Sequence, residues 1–419
     1  MIMLKKWFIL SVFLISNFVA FSQVQKEIAA PYHIKTITFV QNGQNTIPIY
    51  RLGDSFQLQF DDLYGNEANY YYQITHCNYD WKQSDLAQAE YIAGFDNQRI
   101  QDYLNSFNTL QLYSHYRLSF PNQFTRFLAT GNYMLSILNE DREVVFSRKF
   151  ILYQDQVQVP LQIKRAREVK DVEYKHNLDF AIKSKDMIFQ SPLTNVKVML
   201  IQNGQLNNAI TNIKPMYTVG NDLIYKYDKE TQFWAGNEYL FFENKDVRAA
   251  GNNVAKIDSN GGVYNTYLFP NYARGKSPYT FFPDANGNFF IRNINAEQNE
   301  VEADYTWVFF SLSAPSYYGK EPIYITGLFN NHDLTDEYKM DYNREKGIYE
   351  KALMLKQGFY NYKYTIADKS GKIDGENAID GNFYQTEDNY FVMVYYRENN
   401  QRYDKVIGKG IATSTDITN

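Results

Sequence analysis

The sequence predicts a mostly β protein built as tandem β-sandwiches with few short helices. Three observations carry that expectation. Apolar residues recur with period two in short runs, as buried-face strands require. The runs are separated by Gly, Asn and Asp at roughly 8–12-residue spacing. The chain holds 37 tyrosines and 30 phenylalanines, side chains that favour strands, and few Ala/Leu/Glu/Lys-rich stretches at helical spacing.

Taken in order, Lys5 and Lys6 precede an apolar core from Trp7 to Phe21, and Ala20-Phe21-Ser22 supplies small residues for a cleavage point. Residues 1–22 are therefore expected to be a secretory signal. Its core is too short for a confident membrane span. Phe56, Leu58 and Phe60 alternate with Gln57 and Gln59. Ser84 to Ile92 is the best helix candidate, with Ser84 as N-cap. Tyr133, Leu135 and Ile137 alternate after a Gly131-Asn132 turn, and Val144 to Phe150 gives the strand expected to close a first domain at 24–155. Leu178-Phe180-Ile182 and Val196-Val198-Leu200 follow, the second running into an Asn203-Gly204 hairpin signal. With Tyr264 to Leu268 they belong to a second β-rich domain at 156–298. The polar, acidic run Asn295 to Glu302 reads as a linker. Tyr305-Trp307-Phe309, Ile323-Ile325, Tyr360-Tyr362-Tyr364-Ile366 and Phe391 to Tyr396 make a third sandwich at 299–398. Residues 399–419, without aromatics after Tyr403, read as a flexible tail.

The net charge of −5 argues against nucleic acid or anionic lipid as the main partner. Cys77 is the only cysteine, so no intramolecular disulfide can form and the fold must rest on core burial.

Several constellations invite a chemical reading. Cys77 with His115 and Asn108 or Asn122 has the residue types of a Cys-His-Asn protease, which would need an imidazole in reach of the thiol. His76 and Cys77 are adjacent, so in a strand they face opposite ways, and a packed free thiol is the expectation. His33, His76, His115, His176 and His332 show no zinc-like spacing. Asp61-Asp62 and Asp333, Asp336 and Glu337 are carboxylate clusters expected in solvated turns, without the alternating ligands of a calcium loop. Asp80 beside Trp81 and Asp102 beside Tyr103 are the candidates for a glycosidase carboxylate pair. No catalytic, cofactor-binding or metal residue is assigned, and no cofactor is implied. Tyr70-Tyr71-Tyr72 and Tyr360-Tyr362-Tyr364 fit sheet packing, with a protein-binding face as the alternative.

Within 299–398, Ile323-Tyr324-Ile325-Thr326-Gly327-Leu328-Phe329-Asn330, Gly347-Ile348-Tyr349-Glu350 and Gly358 to Tyr364 resemble the early-set immunoglobulin-like modules found beside starch- and glycogen-acting enzymes. Glucan-binding members carry a tryptophan after the Phe-Asn turn, where Asn331-His332 stands here.

A second resemblance covers nearly the whole mature chain. Leu58 to Leu63, His76-Cys77-Asn78-Tyr79-Asp80-Trp81, Glu90 to Phe95, Ser106-Phe107-Asn108-Thr109, Ser114-His115-Tyr116, Phe120-Pro121-Asn122 and Thr130-Gly131-Asn132-Tyr133 resemble, in that order, the type IX secretion system plug protein family of Bacteroidota. Thr266 to Asn271 and Gly287 to Arg292 continue the match, and Thr130 stands where serine is more frequent. The resemblance implies a non-enzymatic periplasmic protein at the inner face of the outer membrane. There it would close the periplasmic mouth of a very large β-barrel, the SprA-type translocon, when no cargo is engaged. The competing expectation is a periplasmic or secreted carbohydrate-binding module or hydrolase accessory, for which Trp81, Trp234 and Trp307 are the mature tryptophans.

Overall fold

The computed structural model describes residues 23–417. The expected signal, residues 1–22, lies outside them. Strands account for most of the regular structure, and the three α-helices among the described residues have four residues each. No helix among the described residues is long and apolar enough to cross a membrane.

The alternating run Phe56-Leu58-Phe60 sits in strand Phe56–Asp62, the centre of a five-stranded sheet flanked by Ile34–Gln41 and Ser114–Phe120. A four-stranded sheet of Ile49–Arg51, Val144–Tyr153, Gly131–Leu138 and Tyr71–Cys77 packs against it. Period two sends Phe56, Leu58, Phe60, Tyr116 and Leu118 inward from one sheet and Tyr72, Ile74, Tyr133, Leu135 and Phe150 inward from the other. Ring pairs such as Phe60–Tyr116, stacked at 5.0 Å, fill the space between them.

The second sandwich pairs a sheet built on Lys175–Ile182 with a three-stranded sheet in the order Val196–Gln202, Asn389–Tyr396, Lys405–Thr413. This overturns two expectations. Residues 389–396 do not belong with the third sandwich, and the described part of the expected tail, 399–417, does not hang loose: Lys405–Thr413 is antiparallel to Asn389–Tyr396, with Val406 and Ile407 fully buried. The strand lacks aromatics because it lies close under residues 157–159. A Cβ at position 408 would come within 2.6 Å of Val157 Cγ2, and one at 410 within 2.7 Å of the Val159 carbonyl oxygen. Glycine is the residue that permits this approach.

The third sandwich is an insertion between the two halves of the second. Its sheets are a six-stranded one containing Tyr305–Ser313 and Ile348–Lys356, and one centred on Gly358–Ile366. The strand Leu240–Glu243, ahead of the expected boundary at 298, pairs with Gly358–Ile366. The expected linker 295–302 is interior to this unit and carries the short helix Asn299–Glu302.

The helix expected over 84–92 shrinks to one turn, Gln88–Tyr91. Ser84 is not its N-cap, which is Ala87; the Ser84 hydroxyl is bonded to His76 Nδ1 at 2.7 Å and accepts the Leu86 N–H at 3.4 Å. Asn203 and Gly204 both have positive φ, as a turn needs, but the chain runs on into a 3-10 turn at Leu206–Asn208 before it bridges back from Ile210 to Leu200.

Candidate functional site: the seams between sandwiches

The residues that drew a chemical reading mostly converge on two seams joining the sandwiches. The first seam joins the first sandwich to the second. Cys77, Tyr79 and Trp81 are buried in one apolar cluster with Met199, Ile201, Met393, Tyr395 and Val406. Burial pushes the Cys77 thiol up to about 12, and its Sγ lies 3.8 Å from the Thr75 carbonyl oxygen. A thiol held protonated in an apolar seam is a packing group. The polar members of the motif lock the seam. Asn132 Nδ2 donates to the Asn78 carbonyl at 3.0 Å, and Tyr395 Oη donates to Asn132 Oδ1 at 2.7 Å. Asp404 accepts the Tyr79 N–H at 3.1 Å and pairs with Lys197 at 3.1 Å and Arg397 at 3.0 Å. Thr130 Oγ1 accepts the Val406 N–H at 3.0 Å, a bond that serine would also make.

His76 shows why glycine follows Thr130. Its ring donates Nε2–H to the Thr130 carbonyl at 3.1 Å, accepts from Ser84 at Nδ1, and covers residue 131 so closely that a Cβ there would lie 2.2 Å from Nε2. Burial holds this imidazole neutral, down to about 4.

The second seam joins the first sandwich to the third, around a buried ion pair. Asp61 was expected in a solvated turn. It is instead a strand residue with 0% of its surface exposed, and Lys356, 1% exposed, donates Nζ–H to its Oδ2 at 2.7 Å. His115 Nδ1 at 2.6 Å and the Tyr305 hydroxyl at 2.6 Å complete the carboxylate's partners. Burial raises the Asp61 pKa, but the facing Lys356 and His115 outweigh it and hold the carboxyl below its usual range. Lys356 also donates to the Glu300 carbonyl at 2.6 Å and lies 4.1 Å over the Tyr113 ring. Asp304 receives the N–H groups of Leu110 and Gln111 at 2.8 and 3.1 Å, pinning the loop that follows Ser106-Phe107-Asn108-Thr109. Tyr113, Tyr305, Met354 and Trp307 pack together at the same seam.

Asp62, likewise expected in a turn, is fully buried and accepts the Tyr70 hydroxyl at 2.9 Å. The other sequence candidates are dispersed. Asp80 is exposed and pairs with Lys82 at 3.0 Å, while Asp102 pairs with Arg117 at 2.8 Å. His33 stacks on Tyr64 at 4.4 Å. His176 is buried against Tyr390 and the Tyr384 carbonyl. Glu337 pairs with Lys35, and Asp333 lies 3.9 Å from Arg148, its carboxyl pushed up to about 6 by burial. Among the described residues no three His, Cys, Asp or Glu side chains gather to hold a metal ion. Tyr70, Tyr72, Tyr360, Tyr362 and Tyr364 are buried core residues rather than an exposed face. Trp81 is buried, with Lys149 over its ring at 4.4 Å, and Trp234 packs beside Gly375.

Sequence reasoning missed the Asp61–Lys356 pair because its members stand 295 positions apart. The available signal was that Asp61 continues the alternation of Gln57 and Gln59 on one strand face.

The motif residues that build these seams match a known pattern. The model of the type 9 secretion system plug protein first domain matches residues 34–154. The chain belongs to the type IX secretion system plug protein family. The crystal structure of a hypothetical protein from Parabacteroides merdae superposes with a TM-score of 0.89 at 32% identity, covering 93% of this chain and 100% of that one. No curated protein matches the chain. The family is a component of a secretion system, so the chain has a plug-related role in type IX secretion and a place in the cell envelope.

Proposed function

We propose that this chain is a non-enzymatic periplasmic plug, docked at the inner face of the outer membrane on the giant SprA-type barrel and closing its periplasmic mouth when no cargo is engaged. The observation that carries the reading is the family match over residues 34–154, whose motif residues build the seams. A stopper for a wide, water-filled conduit must resist deformation across its span. Domains in one chain move relative to each other by default unless their interface is extensive. Here a buried apolar cluster and a buried ion pair tie the first sandwich to the other two. The pinned loop after Ser106 also presents Phe107, Leu110 and Leu112 to solvent, apolar surface of the kind that marks protein contacts.

The test is a purification from native outer membranes. A tagged copy is expected to co-isolate with the barrel, and deletion is expected to raise permeability to large solutes. Normal permeability together with no barrel in the purified fraction would sink the reading.

A further inference from the structure

Where the outer face of the first sandwich meets the third, a cleft of about 710 Å³ opens. Its floor is set by strand register: Thr38 lies beside Gln59, and Gln57 beside Ser119. Gln59 Nε2 donates to Gln57 Oε1, and Gln57 Nε2 to Ser119 Oγ, each at 3.0 Å. These floor residues are uncharged and rich in hydrogen-bonding groups, and the two charged residues that also line the cleft, Glu300 and Lys356, face Arg117 and Asp61. At its inner end lies His115, 4% exposed, whose Nε2 is buried without a partner. With Nδ1 engaged by Asp61, Nε2 is the ring nitrogen left unpaired.

One wall of the cleft is the edge strand Phe289–Ile291. The Asn361 N–H bonds the Asn288 carbonyl and the Arg292 N–H bonds the Gln357 carbonyl, each at 3.0 Å. Antiparallel ladders alternate, so Ile291, opposite Gly358, is at a position that exchanges no bonds with its neighbour. Gly358 confirms this: its N–H donates to Asn244 Oδ1 and its C=O accepts the Asn244 N–H. The N–H and C=O of Ile291 therefore point away from the ladder and have no partner among the described residues. An open strand edge beside a polar floor suits an extended polypeptide, whose backbone can add to the edge. A glycan would call for an open aromatic plate, but of the phenylalanines lining this cleft Phe56 and Phe120 are buried in the core and Phe290 sits against Phe359 at 6.1 Å.

We infer that the cleft receives an extended, uncharged segment of the translocon. The segment bonds to the backbone of Ile291, crosses Thr38, Gln57 and Ser119, and pairs one polar group with His115 Nε2. The inference rests on the plug reading and names its docking site.

Ile291→Pro removes an N–H that the fold does not use, and Thr38→Lys places a charge on the floor. Each is expected to cut the barrel recovered with the tagged chain about tenfold, a loss of roughly 1.4 kcal/mol, with an unchanged melting temperature. Val169→Asp, on the exposed surface of the second sandwich, is expected to recover the barrel in full. A photo-crosslinking amino acid in place of Gln57 is expected to carry a barrel peptide. Full recovery by both cleft variants overturns the inference, as does a crosslink from position 57 to glycan alone. If Ile291→Pro fails to fold, Thr38→Lys decides. Failure of the wild-type chain to recover any barrel is a different result and overturns the plug reading itself.

Discussion

Replacing Lys356 by methionine isolates what the buried ion pair contributes. The substitution keeps an unbranched apolar stem beneath Tyr113 and removes only the ammonium. Asp61, with none of its surface exposed, then keeps His115 and Tyr305 as partners but loses the opposite charge held at 2.7 Å. Removing one member of such a pair costs about 3–5 kcal/mol, because a charge stays buried without compensation. Urea unfolding followed by tryptophan fluorescence reads it, since Trp307 packs in the same seam. The double variant Lys356→Met with Asp61→Asn removes both charges and is expected to be more stable than Lys356→Met alone by about 2 kcal/mol. If Lys356→Met unfolds within about 0.5 kcal/mol of wild type, which is the range of ordinary surface changes, the pair does not hold the seam and the argument for a stiff body loses its main support.

Three further outcomes are expected. Gly131→Ala places a Cβ 2.2 Å from His76 Nε2 and is expected to destabilise the first sandwich by about 2–3 kcal/mol or more, read by the same urea titration. His76 is depressed to about 4 in the folded chain, against about 6.5 when unfolded. Its stabilisation is complete above pH 6.5 and lost as pH falls towards 4, so wild-type stability should decline through that window and His76→Gln should flatten the slope. Glu238 works in the opposite sense: burial lifts its carboxyl to about 7, so its protonated form favours folding at low pH and the benefit is lost as pH rises through 7. Glu238→Gln should therefore gain stability over wild type at pH 8 but not at pH 4.5, a difference that thermal melts at the two values would expose.

The strands were legible because their signal is local. Phe56-Leu58-Phe60 and Tyr133-Leu135-Ile137 announce a buried face by alternation alone, and both face the same core. The topology was not, because it depends on pairings between distant segments. Nothing near Val196–Gln202 indicates that its partner is Asn389–Tyr396, and an inserted unit looks from the sequence like one more domain in a row. The tail misled for a related reason. Aromatic content tracked the strands elsewhere, but Lys405–Thr413 has no aromatic residue and carries glycine at 408 and 410, where Val157 and Val159 leave no room for a side chain. The Asp61-Asp62 pair misled because two adjacent acids usually mean a solvated turn. They are buried here because Lys356 and Tyr70 arrive from elsewhere in the chain to satisfy them.

The seams also account for why Asp61, His76, Cys77 and His115 invite a chemical reading. Histidine, cysteine, asparagine and aspartate gather there, as they do in active sites, because both settings need polar groups in places without water. At a catalytic centre such groups are left with reactive capacity. In the first seam they are consumed: both ring nitrogens of His76 are bonded, the Cys77 thiol is held protonated, and Asn132 and Asp404 spend their side chains on the opposite sandwich. Of the described side chains between residues 70 and 133, His115 departs from this rule, with Nδ1 engaged and Nε2 buried and unused. A buried polar atom left without a partner costs about 1–3 kcal/mol. A ligand that supplies the partner recovers that cost on binding. This unspent group lies in the cleft whose strand edge is also open, and the two vacancies can be filled by a single extended chain.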